Sequence, residues 1–182
     1  MLLKIQLKRG SDGSAVEANL IDLQERNVDD YVNYWVELLR QFEQEDKYWD
    51  WVFKLRYISN HENLEGYAVE CENQTQGLMM IETRMHGSRL DVGKRLVYVD
   101  GIVTAPTNRI EIQNPPRFKG VGKALLNFAR NRSVELGYEG RVGLHSLPRA
   151  ERFYRKQNMY DLGREEDYEY MVYFEHGPLR QR

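Results

Sequence analysis

The chain has 182 residues, with 26 basic and 28 acidic side chains for a net charge of −2, and 41% of it is hydrophobic. That length suits one domain with a full core, and the cancelled charge leaves no broad basic field to draw it to nucleic acid or an anionic membrane. No apolar run approaches membrane-spanning length, and a single cysteine, Cys71, excludes an internal disulfide.

The opening stretch to Arg9 is interrupted by Lys4 and is too short for a signal-peptide core. Together with the cysteine usage, this gives a cytoplasmic expectation. Ile5-Gln6-Leu7-Lys8 alternates as a half-buried strand and stops at the turn cluster Gly10-Ser11-Asp12-Gly13. Val16 to Leu23 is a second strand or the start of a helix; the pattern does not decide. From Asp29 the spacing becomes helical, with Val32, Trp35, Val36, Leu39 and Phe42 three and four residues apart and Asp29 or Asp30 placed to cap. A second helical piece surrounds Trp49, Val52, Phe53 and Leu55.

Strands then dominate. Gly66–Cys71 and Gly77–Glu82 flank a hairpin turn at Asn73-Gln74-Thr75. Cys71 ends the first of these runs and reads as a small buried hydrophobe rather than a nucleophile. Leu96–Val103 is a third run, interrupted by Gly101, a residue that commonly marks a bulge or a close backbone approach. Val121, Ala124, Leu125, Phe128 and Ala129 form the apolar stripe of a long helix ended by Gly137. Arg141–Ser146 is a strand, Pro148 opens a short helix burying Ala150, Phe153 and Tyr154, and Tyr168–Phe174 is a final strand. The order predicts a mixed α/β (α+β) fold around a largely antiparallel sheet. His61, His86, His145 and His176 are far apart and show no metal-site spacing, so no metal is assigned.

Between the third strand and the long helix stands Arg117-Phe118-Lys119-Gly120-Val121-Gly122-Lys123. A strand, a glycine turn and a helix N-terminus gather backbone N–H groups at one point, where the helix dipole also favours an anion. The cations Arg117, Lys119 and Lys123 make a diphosphate the expected ligand. A Walker A loop would place a glycine where Arg117 stands and Ser or Thr where Ala124 stands; a dinucleotide fingerprint would need a glycine where Leu125 stands. Both nucleotide readings fail on spacing.

The Arg-x-x-Gly-x-Gly that remains resembles the coenzyme A loop of the GNAT N-acetyltransferase superfamily. Leu96–Pro106, with Ala105-Pro106, is similar to that family's fourth strand. Val121–Leu136 is similar to its long helix, and Val142–Tyr160, with Ala150, Phe153, Tyr154 and Met159, to its next strand and helix. The resemblance covers residues 65–175 as the cofactor-binding core of a single domain, and leaves 1–64 as a variable, acceptor-side part. It extends to stand-alone bacterial members carrying Ile-x-Thr-Ala-Pro-x-Asn-Arg, here Ile102–Arg109, and Gly-Leu-His-Ser-Leu-Pro, here Gly143–Pro148.

The resemblance implies transfer of an acetyl group from acetyl-CoA to a primary amine by direct attack in a ternary complex, with no metal. The amine must shed its proton, the thioester oxygen needs donors as it gains charge, and the thiolate needs a proton. Main-chain N–H groups of Ile102, Val103 and Thr104 are the expected donors, with Gly101 permitting the strand to distort. Tyr154 aligns with the tyrosine facing the sulfur and is the expected acid; a phenol of ordinary pKa is protonated at neutral pH. Asp100, mid-strand among valines and on one face with Tyr98 and Ile102, is the expected base, with Glu70, Glu82 or Tyr98 as substitutes. The segment Arg117 to Lys123 would hold the pyrophosphate, with Asn108 and Arg109 closing over cofactor or substrate. Where many members carry an asparagine, Ser146-Leu147-Pro148 stands; Ser146 either replaces it or caps the short helix. Tyr31, Tyr34, Trp35, Tyr48, Trp49 and Trp51 read first as core and second as an acceptor pocket. The acceptor is a small-molecule or peptide amine. Two other readings stay open: a non-catalytic acyl-CoA-binding module, and a toxin acetylating aminoacyl-tRNA, against which the balanced charge speaks. Self-association as a homodimer is also left open.

Overall fold

Alternation in the first residues becomes an antiparallel pair. In the computed structural model, which describes residues 1–179, β1 (Leu2–Arg9) pairs with β2 (Ala15–Asp22) from Leu2↔Ile21 to Lys8↔Ala15. The segment whose pattern was undecided is thus a strand.

The helices begin earlier than the capping signal suggested. α1 (Glu25–Asp30) starts after Gln24, whose N–H donates to Asn27 Oδ1 at 3.0 Å. Asn27 is fully buried and donates onward to Glu70 Oε1 at 2.7 Å and Thr75 Oγ1 at 3.0 Å, tying α1 to two strands. Asp30 instead accepts the N–H of Thr75 at 2.9 Å. A π-helical turn (Tyr31–Trp35) then leads into α2 (Val36–Gln41). The wider turn changes which residues face inward: Tyr31, Trp35 and Leu39 are buried at a spacing of four, while Val32 and Phe42 turn outward. α3 (Trp51–Ser59) is capped by Asp50, which accepts the N–H of Phe53 at 2.8 Å; its Trp51 is buried and Val52 and Phe53 are exposed.

β3 (Leu64–Cys71) and β4 (Gln74–Glu82) are joined at Glu72-Asn73, both with positive φ, one residue earlier than the sequence suggested. β4 is buried along nearly its whole length, which explains a continuous apolar run in place of alternation. β5 (Val97–Thr104) follows, then the two-residue β6 (Phe118–Lys119), α4 (Val121–Glu135), β7 (Val142–Ser146), α5 (Glu151–Lys156), β8 (Tyr160–Glu165) and β9 (Met171–His176). β8 was not anticipated: it is an edge strand, exposed over most of its length, with an irregular register between Asp161 and Arg164.

The chain divides into two compact units. The first contains residues 1–80 and 101–125 and carries the strand order β6-β1-β2-β3-β4-β5. Its core packs Tyr31, Trp35, Leu39 and Trp51 with Leu78 and Val103. The second contains residues 81–100 and 126 onward, with the order β5-β7-β9-β8. There β7 and β9 are antiparallel over five pairs, whereas β5 and β7 are parallel and joined in register only at Val97↔Val142 and Tyr98↔Gly143. The segment after β4 is held by the fully buried carboxylate of Glu175, which accepts from Arg89 N–H at 2.9 Å, from Ser88 and from the Tyr173 hydroxyl at 3.2 Å. The largely antiparallel mixed sheet with helices is the expected fold class. Among the described residues no helix is long and apolar enough to cross a membrane.

Candidate functional site

The glycine turn is fixed from three sides within the first unit. After β5, Ala105 N–H donates to Gln76 C=O at 2.9 Å, and a 3-10 turn runs over Pro106–Asn108. Asn108 Nδ2 reaches Gln76 Oε1 at 3.0 Å, and Asn108 Oδ1 accepts Phe118 N–H at 2.9 Å. Arg117 N–H donates to Thr107 C=O at 2.8 Å, and β6 pairs with β1 at Lys8↔Lys119 and Arg9↔Phe118. The Phe118 side chain is buried, which anchors the turn and leaves Lys119 and Gly120 exposed beyond it.

Gly120 has φ +98°, a conformation that an L side chain rarely adopts, and it ends the turn where α4 begins. Ala124 N–H donates to Gly120 C=O at 2.9 Å, the first bond of the helix. The N–H groups of Val121, Gly122 and Lys123 therefore precede any carbonyl of the helix, and no acidic residue stands in its first turn. Lys123 is exposed. Val121 and Val103 both lie against Gly77, whose built Cβ would stand 2.6 Å from Val121 Cγ1 and 3.4 Å from the Val103 carbonyl oxygen, so turn and strand end meet.

Several expected roles change. The Arg117 guanidinium is paired with Glu72 at 2.9 Å and bonded to Gln74; Arg9 pairs with the same carboxylate. Hydrogen bonds from Arg117 and then Arg9 hold the Glu72 carboxyl below its usual range. Arg117 thus braces the turn against the β3–β4 hairpin. Arg109 does not reach outward either. It makes a two-armed pair with Asp46 (2.8 and 2.6 Å), bonds Gln44 Oε1 at 3.1 Å, and donates twice to Thr104 C=O (3.2 and 3.0 Å). Asn108 is likewise consumed internally.

Strand alternation also separates the three expected main-chain donors. The bond from Ala105 N–H to β4 aims Val103 N–H the same way, so only Ile102 and Thr104 present N–H groups on the opposite edge. Gly101 has a packing reason: a Cβ there would lie 3.0 Å from the indole of Trp49. Of the aromatic cluster, Tyr31, Trp35 and Trp51 are core, while Tyr34 and Tyr48 are exposed. The Tyr31 hydroxyl donates to Trp49 C=O at 2.8 Å; burial, then Asp46, pushes its pKa up to about 12. A cavity of about 330 Å³ is bordered by Asp30, Tyr34, Trp35, Pro106, Thr107 and Arg117.

In the second unit, Tyr154 is buried on α5, with its ring 5.7 Å from Phe174 and 5.0 Å from Phe153. Burial alone raises its pKa, so the phenol holds its proton at neutral pH. Asp100 is exposed, not sunk among the valines, so the cost of burying a carboxylate gives it no special standing. Ser146 is buried and donates to the Leu147 carbonyl at 2.8 Å; it caps no helix.

One constellation escaped the sequence reading. The Tyr98 hydroxyl lies 2.8 Å from His145 Nδ1, and His145 Nε2 lies 2.9 Å from Glu165 Oε2. In the sequence His145 stands only as one of four scattered histidines and within the string Gly143–Pro148, and no spacing links it to Tyr98 or Glu165. Among the described residues no group of three or more His, Cys, Asp or Glu could hold a metal ion.

No family model matches the sequence, and no curated protein matches it. Solved structures do match in fold. The GNAT domain of S. lividans PAT superposes with a TM-score of 0.63 at 14% identity, covering 96% of each chain. Aminoglycoside 6'-acetyltransferase type Ii gives 0.60 at 13% identity, over 90% of this chain and 99% of its own. The Bacillus subtilis N-acetyltransferase YlbP, solved in complex with coenzyme A, gives 0.56 at 9% identity, over 98% of this chain and 97% of its own.

Proposed function

We propose that this chain, whose fold is that of the GNAT acetyltransferases, moves an acetyl group from acetyl-CoA to a primary amine. The observation that carries the reading is the exposed turn Lys119-Gly120 on the N-terminus of α4, held at the end of β5 by Asn108 and Phe118. Helix-start N–H groups without helical acceptors, a left-handed glycine beside them and the exposed ammonium groups of Lys119 and Lys123 suit a pyrophosphate. Acetyl-CoA supplies an activated thioester when bound.

The chain's own residues supply the rest. Residues 117–123 position the phosphates, with Val121, Gly122 and Lys123 giving backbone donors and Arg117 and Phe118 holding the turn's shape. Ile102 and Thr104 offer N–H groups to the acyl oxygen as it gains negative charge; one such donor is typically worth about 3 kcal/mol. Val103 packs the strand that carries them. Asp100, an exposed carboxylate, accepts the amine's proton. Tyr154, which burial keeps protonated, returns a proton to the departing sulfur.

Titration calorimetry with acetyl-CoA, run beside thiol release over a panel of primary amines, tests this. Binding with amine-dependent thiol release is expected. Absence of binding would remove the proposal, and binding without release to any amine would leave a non-catalytic acyl-CoA module.

A further inference from the structure

The first unit holds a cavity of about 330 Å³ that the acyl-transfer roles leave unused. Asp30, Tyr34 and Leu38, spaced by four along the chain, give it a helical wall, with the buried Trp35 beside them. The rest of the lining comes from the start of β4 and from the turn after β5, where Gln74, Ala105, Pro106 and Thr107 meet Arg117. Its volume is at the small end for ligand pockets, which suits one ring system rather than a whole cofactor.

The polar groups of this lining are only partly used. Asp30 Oδ2 accepts the Thr75 N–H at 2.9 Å, and Asp30 Oδ1 has no partner among the described residues. Neither do the hydroxyls of Tyr34 and Thr107. Gln74 gives its Oε1 to Arg117 and keeps its amide hydrogens; Arg117, bonded to Gln74 and Glu72, retains N–H groups to spare. One acceptor therefore shares the cavity with several donors. A carboxylate ligand would face Asp30, and a lone ammonium would face the Arg117 guanidinium and the Gln74 amide hydrogens. A neutral ring with an amino group beside ring nitrogens meets both demands. Its amino hydrogens go to Asp30, its nitrogens accept from Gln74, Tyr34 or Thr107, and its faces lie against Trp35, Leu38 and Pro106. Adenine has that edge, with N6 donating beside the acceptor N7.

We propose that this cavity is a site for an adenine base. Arg117 N–H donates to Thr107 C=O at 2.8 Å, so a base held here touches the residues that fix the glycine turn. Adenine arrives either within coenzyme A or in a separate adenine nucleotide. The first source deepens the acyl-transfer reading and rests on it; the chemistry of the cavity does not.

The test titrates methyl-labelled full-length protein with adenosine, inosine, AMP, coenzyme A and pantetheine, following the methyl resonances of Leu38, Ala105 and Thr107. Adenosine should shift them with a Kd below about 2 mM. Inosine, whose O6 turns an acceptor toward Asp30, should bind at least about fivefold more weakly. Asp30→Asn keeps a carbonyl oxygen for the Thr75 N–H and brings amide hydrogens to the cavity, so it should erase or reverse that preference. Unmoved methyls at about 10 mM adenosine, equal affinity for the two nucleosides, or an unchanged preference in Asp30→Asn would each overturn the proposal. The first two readings need no variant to fold. Coenzyme A that displaces adenosine, with pantetheine silent at these methyls, assigns the base to the cofactor; AMP retained while coenzyme A binds assigns it to a separate nucleotide. Coenzyme A that fails to bind while adenosine still moves the methyls would sink acyl transfer alone. Coenzyme A that binds while adenosine leaves them unmoved would sink the cavity proposal alone.

Discussion

The turn that opens α4 in the first unit and the Tyr98–His145–Glu165 chain in the second are made of opposite materials. The turn offers backbone donors, set by one left-handed glycine and a run of seven adjacent residues. The chain is built of side-chain hydrogen bonds among residues 47 and 20 positions apart. Backbone donors keep their proton at every working pH, and their direction follows from local φ and ψ. A phenol can donate or accept, and only its partners decide which. The first arrangement is robust to acid and sensitive to local conformation; the second, through its histidine, is sensitive to acid.

Acid should separate the two units most strongly. His145 and His176 both lie in the second unit, both brought down to about 4, chiefly by burial. Their folded pKa values lie below the ordinary 6.5, so between those limits the unfolded chain binds more protons and stability falls as pH drops. Each histidine should cost up to about 1.4 kcal/mol per pH unit across that window. Hydrogen exchange at pH 7 and pH 5 should show β7 and β9 losing protection before β1 and β2; equal loss in both would erase the contrast.

Next in size is the brace behind β5. Asp46→Ala leaves a mostly buried guanidinium facing Gln44 and the Thr104 carbonyl, and should cost about 3 kcal/mol in urea unfolding. Adding Arg109→Met should recover part of that loss. A single-variant cost under about 1 kcal/mol would mean that the brace is dispensable.

Gly120→Ala sharpens the conformational side. Forcing a Cβ into φ +98° should cost about 1–2 kcal/mol and weaken coenzyme A by about tenfold in calorimetry, with the His145 ring resonances unchanged. The smallest effect belongs to the exposed lysines. Lys119→Ala or Lys123→Ala should each weaken coenzyme A about two- to fivefold, a difference that shrinks near 0.5 M salt.

How much could be read in advance follows the same division. Strand β5, helix α4 and the turn between them were legible because periodicity and glycine placement act over a few residues. The start of α1 was not: Asn27 finds its partners Glu70 and Thr75 far along the chain, and the π-helical turn at Tyr31–Trp35 shifts the buried face. Arg109 was expected to point at a ligand because a charge in a long loop looks free; Asp46, 63 residues earlier, claims it. Gly101 looked like a site of strand distortion until Trp49 supplied a packing partner.

The sequence by itself determined most of the order of elements, β2 and β8 excepted, the mixed α/β class and the glycine turn that opens α4, since hydrophobic period, capping and backbone freedom are properties of neighbouring residues. Only the tertiary structure decided which cations are already paired, which strand N–H groups face outward and that Tyr98 and Glu165 meet at His145. Those depend on distances between residues far apart in the chain, and hydrogen bonds and ion pairs act only at contact.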